Sequence, residues 1–122
     1  MDKIQALDRF WNSFGLPAYD ESTVPQNAPL PRITYEAATD SFDSELYLTA
    51  SLWYRSSSWK EISQKAEAIS RYIVQMNPPT IQLDDGRLYI TKGTPFAQRM
   101  TDPDDSIRRI YLNIKVEYLT AF

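Results

Sequence analysis

The chain has 122 residues, and 13 Lys and Arg against 16 Asp and Glu give a formal net charge of −3 at pH 7. It contains no cysteine and no histidine. That excludes disulfides, thiol nucleophiles and thiolate metal sites, and it removes the commonest general base and zinc ligand together. The length suits a single domain, residues 1–122, able to bury a core without staples. The charges are interspersed rather than blocked, so no basic footprint for a phosphate backbone is visible. No apolar run reaches membrane-spanning length, and the opening Met1-Asp2-Lys3-Ile4 lacks a signal-peptide core. The expectation is a soluble protein kept in a cytoplasm.

Residues 3–14 read as a short amphipathic helix. Ile4, Leu7, Trp11 and Phe14 recur at helical spacing with Phe10 beside them, opposite Lys3, Gln5, Asp8, Arg9 and Asn12. Gly15 and Pro17 stop the helix, because glycine tolerates a left-handed cap and proline cannot continue the ladder. Residues 16–31 hold Pro17, Pro25, Pro29 and Pro31, which favour a stiff extended crossing over any regular element.

A short strand is expected at residues 32–36 and a longer one at 45–55. In the longer one Leu46, Leu48, Ala50, Leu52 and Tyr54 alternate with Tyr47, Thr49, Ser51 and Trp53. That second face is neither charged nor fully apolar, whereas a solvent-facing strand usually carries Lys and Glu. Ser58 and Glu61 then form a capping-box pattern for a helix running to about Met76, with Ile62, Ala66, Ile69 and Ile73 on one face. Asn77-Pro78-Pro79 ends it.

The last third reads as a hairpin, a long loop and a strand. Asp85-Gly86 suits the centre of a two-residue type I′ turn, between Ile81 and Leu83 on one side and Leu88 and Ile90 on the other. A charged loop of roughly fourteen residues, 93–106, follows, longer than an ordinary connector and therefore expected to be functional or disordered. From 110 to 118, Ile110, Leu112, Ile114, Val116 and Tyr118 alternate with Tyr111, Asn113, Lys115 and Glu117. The order α-β-β-α-β-β-β implies an α+β fold: a mostly antiparallel sheet of about five strands, with two amphipathic helices packed on one face.

Catalytic chemistry is hard to place on this chain. Ser56, Ser57 and Ser58 lack both an activating histidine and a nucleophile elbow, and read as a turn and an N-cap. Gly86 and Gly93 are isolated glycines serving turns rather than a phosphate-binding loop. Asp102, Asp104 and Asp105 are oxygen ligands of the kind calcium and magnesium prefer, yet no D-x-D-x-D-G loop frames them. They read as turn formers around Pro103 that pair with Arg108 and Arg109. No catalytic residue, cofactor or metal is expected.

What remains is a candidate partner interface. Tyr47, Trp53, Arg109 and Tyr111 lie on the second faces of two strands. Phe96, Arg99 and Met100 are anchors in a loop that also carries Asp102, Asp104 and Asp105. Aromatics with arginine suit a protein interface, and a stacking platform for single-stranded nucleic acid is the other reading, weakened by the negative net charge.

Residues 85–100 (Asp-Gly-Arg-Leu-Tyr-Ile-Thr-Lys-Gly-Thr-Pro-Phe-Ala-Gln-Arg-Met), then Asp102-Pro103-Asp104-Asp105 and Arg108-Arg109-Ile110-Tyr111-Leu112-Asn113, resemble the tail terminator (tail completion, minor capsid) proteins of long-tailed bacteriophages. Pro31-Arg32-Ile33-Thr34-Tyr35, the strand ending at Trp53-Tyr54-Arg55, and Ser58-Trp59 follow the same order, so the resemblance runs from Ile4 to Leu119. It implies a non-enzymatic α+β subunit of a hexameric ring that caps the tail tube, ends tail polymerisation and presents the surface that joins the head. The implied partners are further copies of the chain, the major tail tube protein and a head-completion or connector protein. DNA would only pass through the lumen, and no membrane is involved. The implied location is the head-proximal end of the virion tail, with host cytoplasm during assembly. A neighbouring connector ring, head-completion or stopper, fits the same features, as does a small binding module.

Overall fold

The computed structural model describes residues 1–37, 45–76 and 78–120. Among them are two helices and a six-stranded sheet, and the α+β class holds. The elements are α1 (Lys3–Asn12), β1 (Ala18–Asp20), β2 (Arg32–Tyr35), β3 (Glu45–Arg55), α2 (Lys60–Met76), β4 (Thr80–Gln82), β5 (Gly86–Met100) and β6 (Ile107–Thr120). The sheet is curled, with strand order β1-β2-β3-β6-β5-β4. All neighbouring pairs are antiparallel except β1 and β2.

Three of the expectations need correction here. The sheet has six strands, not about five, and it is mixed. The extra strand is β1, inside the proline-rich segment expected to be irregular. It is held by long-range bonds that local pattern does not encode: Ile33 N–H donates to the Pro17 carbonyl at 2.9 Å and Glu21 N–H to the Tyr35 carbonyl at 2.8 Å. On its outer edge the Asn12 side chain imitates a strand, accepting from Ala18 N–H at 3.0 Å and donating to the Ala18 carbonyl. The outward N–H and carbonyl of Ala18 are thereby occupied.

The second correction concerns residues 93–106, expected as one loop. β5 instead continues to Met100, and Ala97, Gln98, Arg99 and Met100 pair with Leu112, Tyr111, Ile110 and Arg109. Gly93, Thr94, Pro95 and Phe96 form a wide bulge opposite Asn113, where the register shifts between Lys92 and Ala97. The bulge absorbs the glycine and proline that look like chain breakers, and the ladder resumes beyond it. The β4–β5 turn also differs. Leu83 N–H donates to the Gly86 carbonyl at 2.8 Å, so Asp84 and Asp85 are central and Gly86 already pairs with Thr120. Among the described glycines only Gly15, just after α1, has a positive φ, 81°.

Helix α1 starts with a capping box: Asp2 accepts from Gln5 N–H at 2.8 Å, and Gln5 accepts from Asp2 N–H at 3.0 Å. It buries Ala6, Leu7, Phe10 and Trp11, whereas Ile4 is exposed. At the start of α2 the Ser58 hydroxyl accepts from Lys60 N–H at 3.0 Å. Both helices lie on one face of the sheet. Asp8 meets the inward Tyr35, and Ser70 meets Lys92. The core is built from Leu48, Ala50 and Leu52 of β3, Ile110, Leu112, Ile114 and Val116 of β6, and Leu88 and Ile90 of β5, under Ile62, Ile69 and Ile73 of α2. Phe10 and Phe14 join the two helical segments through Tyr72, the first in a tilted contact with ring centroids 6.3 Å apart and the second edge-on at 5.4 Å. Every apolar residue with the parity of Leu48 or Ile110 is thereby used on this side, and the opposite side of the sheet carries the remaining parity.

Candidate functional site

The opposite side is built row by row from strand register. Arg32, Trp53, Arg109 and Met100 stand abreast on β2, β3, β6 and β5. The next row is Thr34, Ser51, Tyr111 and Gln98, and further along Tyr47, Lys115 and Thr91 share a row. Among the described residues no helix covers these rows.

The long side chains lie down over the short ones. The Arg109 guanidinium sits 4.5 Å from the Trp53 ring and 5.4 Å from the Tyr111 ring, and that of Arg32 flanks Trp53 from the other neighbouring strand at 5.8 Å. Trp53 Nε1 donates to Thr34 Oγ1 at 2.8 Å, Arg109 Nε to Ser51 Oγ at 3.1 Å, and the Tyr111 hydroxyl lies 3.2 Å from Thr49 Oγ1. Thr34 and Ser51 are therefore buried although they face outward. Tyr47, by contrast, is 70% exposed. Among the described residues neither Arg32 nor Arg109 takes part in an ion pair. Arg32 gives one amino group to the Ala28 carbonyl at 3.0 Å, and its buried Nε has no partner.

The residues singled out in the sequence fall into three places. Tyr47, Trp53, Arg109 and Tyr111 do share the open face, joined by Met100 at its margin. Phe96 and Arg99 lie on the helix side. Phe96 packs against the core, with Lys92 5.9 Å from its ring, and Arg99 stacks on Trp59 at 4.7 Å. Arg108 approaches the same indole at 5.4 Å. A groove of about 340 Å³ separates this part of β5 from α2, floored by Ala66, Phe96 and Ile110.

Asp102, Asp104 and Asp105 form the turn between β5 and β6. Asp102 accepts from Asp104 N–H at 2.9 Å, and Asp104 Oδ1 accepts from both the N–H and hydroxyl of Ser106 at 2.9 and 2.7 Å. These bonds from Ser106 hold the Asp104 carboxyl below the usual carboxylate range. The expected ion pairs with Arg108 and Arg109 are replaced by a different contact: Arg108 donates to the backbone carbonyls of Asp105 and Ser57. Among the described residues no three Asp or Glu gather as a cation would require.

A second concavity of about 930 Å³ lies between α1, β1 and the proline-rich segment, lined by Ile4, Asp8, Tyr19, Asp20, Pro25 and Tyr35. In it the Tyr35 hydroxyl donates to Asp8 at 2.8 Å, which ties β2 to α1, and burial together with that bond raises the Tyr35 pKa. Ser56 accepts from Ser58 N–H and Ser58 from Lys60 N–H, so both hydroxyls serve the turn into α2. No helix among the described residues is long and apolar enough to cross a membrane.

The open face can offer a neighbour aromatic area and two guanidiniums, which is the chemistry of an interface anchor. Arg32 is absent from the interface candidates above, although the sequence also offers it, with the aromatics, as part of the stacking platform for nucleic acid. Parity sets it on the face of Thr34, two residues on, and strand register sets it beside Trp53.

No family model and no curated protein matches this chain.

Proposed function

We propose that this chain is a non-enzymatic structural subunit of a long-tailed bacteriophage: a tail terminator that closes into a ring on the finished tail tube, ends its polymerisation and offers the surface that joins the head. Two things support the reading. The sequence resemblance from Ile4 to Leu119 supplies the family and the number six. The single structural observation that carries it is the open face around Trp53, Arg109 and Tyr111, which nothing else among the described residues covers. A sheet with both helices on one side needs a partner for a face so rich in aromatics, and a head-to-tail contact between unlike surfaces closes into a ring when its rotation closes.

Nucleic acid is a poorer occupant of the same face. Trp53 is already flanked by guanidiniums on both neighbouring strands, which leaves little ring surface for a base to stack on. The net charge of −3 suits a lumen through which DNA passes without sticking. Electron microscopy of tails assembled with and without the protein tests the proposal. The expected result is density at the head-proximal tip and overlong tails when the protein is omitted. Tails of normal length in its absence refute it.

A further inference from the structure

We infer that the acidic turn at residues 102–105 of one subunit docks against Arg32 and Trp53 of the next, as the head-to-tail contact of the ring. The inference rests on the ring reading above and adds the pair of surfaces that meet. The first observation is charge left without a partner. Arg32 is held in place by Ala28 and lies beside Trp53, yet it joins no ion pair among the described residues and has a buried, unpartnered Nε. Arg109, on the other side of Trp53, joins none either. A row with two cations and no anion is complemented by carboxylates from outside.

The second observation is where this chain carries suitable carboxylates. The β5–β6 turn presents Asp104 and Asp105 to solvent on a backbone stiffened by side-chain bonds from Asp102 and Asp104. A preformed turn loses little conformational entropy on docking. Asp105 uses its carbonyl, not its carboxylate, to hold Arg108.

The third observation is level. Arg109 follows Ser106 by three residues on β6, so the row Arg32–Trp53–Arg109 sits about 10 Å along the strands from the turn. Rotation about an axis along the strand direction keeps each feature at its own height. The β5–β6 side of one subunit then meets the β2 side of the next with the turn about 10 Å beyond the arginine row, a step that a tilt of the subunits against the axis closes. Within one subunit β2 and β6 are separated by β3, about 10 Å apart, and the turn does not reach Arg32.

The test is a charge swap read by sedimentation velocity of the full chain, alone and bound to tail-tube ends, with a thermal melt of each variant. Arg32→Glu and Asp105→Arg should each weaken subunit association about thirtyfold, the size of one interface hot spot. The variant carrying both should recover most of it. Asp105→Arg lies at an exposed turn position, so it remains informative where Arg32→Glu loosens the Ala28 contact. Rings that form equally well from both single variants, or a folded double variant that recovers nothing, overturn this contact and leave the ring standing. A wild-type chain that forms no ring at any concentration, even on tube ends, overturns the ring reading along with it.

Discussion

Gly93 lies against Asn113 of the neighbouring strand: a Cβ built on the glycine would stand 2.9 Å from Asn113 Cβ and 3.1 Å from its carbonyl carbon and oxygen. Close approach of two backbones, not a positive φ, is what requires glycine here. It sits at the start of the bulge that lets β5 pass Pro95 and rejoin β6, and Asn113 braces the same bulge by donating to the Pro95 carbonyl at 2.9 Å. Gly93→Ala should therefore destabilise the fold by about 1–3 kcal/mol, the usual cost of forcing extra atoms into a packed contact. Urea unfolding checks it, and a midpoint equal to wild type would mean that the bulge yields freely.

The same bulge shows why part of the fold was hidden in the sequence. The alternation at residues 110–118 and 45–55 reports β6 and β3 directly, since one face of each is buried under the helices. In β5, Gly93 and Pro95 interrupt the alternation, and only the partner strand β6 decides that pairing resumes at Ala97. β1 is hidden for a related reason: its bonds run to Ile33, Tyr35 and Asn12, none of them its neighbours in sequence. For the candidate site, parity along single strands placed Tyr47 with Trp53 and Arg109 with Tyr111. Register, which parity does not give, puts Arg32 beside Trp53 and turns Phe96 and Arg99 to the other side of the sheet.

Asp2 and Gln5 cap α1 reciprocally, satisfying two N–H groups that the helix leaves unpaired. Asp2→Ala is expected to cost about 1 kcal/mol in urea unfolding, and Asp2→Ser most of a kcal/mol less. Equal losses for the two substitutions would show that the side-chain cap contributes nothing and that the carboxylate charge alone matters.

Alkaline pH should unfold the protein through its tyrosines. Burial lifts the Tyr118 hydroxyl to about 12, and Tyr35 and Tyr54 are raised by burial too, Tyr35 further by its bond to Asp8 and Tyr54 by the charge of Glu61. In the unfolded chain these groups ionise near their ordinary value of about 10. Above that pH the folded state binds more protons than the unfolded one, so stability falls as pH rises. The contribution is complete below about pH 10 and is lost progressively as pH passes through the folded values. Urea midpoints followed from pH 8 upward, with phenolate absorbance alongside, measure it. Flat stability to pH 12 would contradict the buried placement of Tyr118.

Arg109→Ala and Phe96→Ala should fail in opposite ways. Arg109 lies on the open face, bonded to Ser51 and stacked on Trp53 and Tyr111, where such contacts are worth about 1 kcal/mol in the isolated subunit. Its removal leaves the fold nearly intact and strips the face of the cation nearest its centre. Phe96 packs partly against the core beside α2, so its truncation should cost about 2 kcal/mol, less than for a fully buried phenylalanine. It should leave assembly unchanged at temperatures where the variant is folded. Paired measurements of urea midpoint and of incorporation into tails separate the two. Arg109→Ala that incorporates normally while Phe96→Ala, fully folded, does not would move the partner surface from the open face to the groove between β5 and α2.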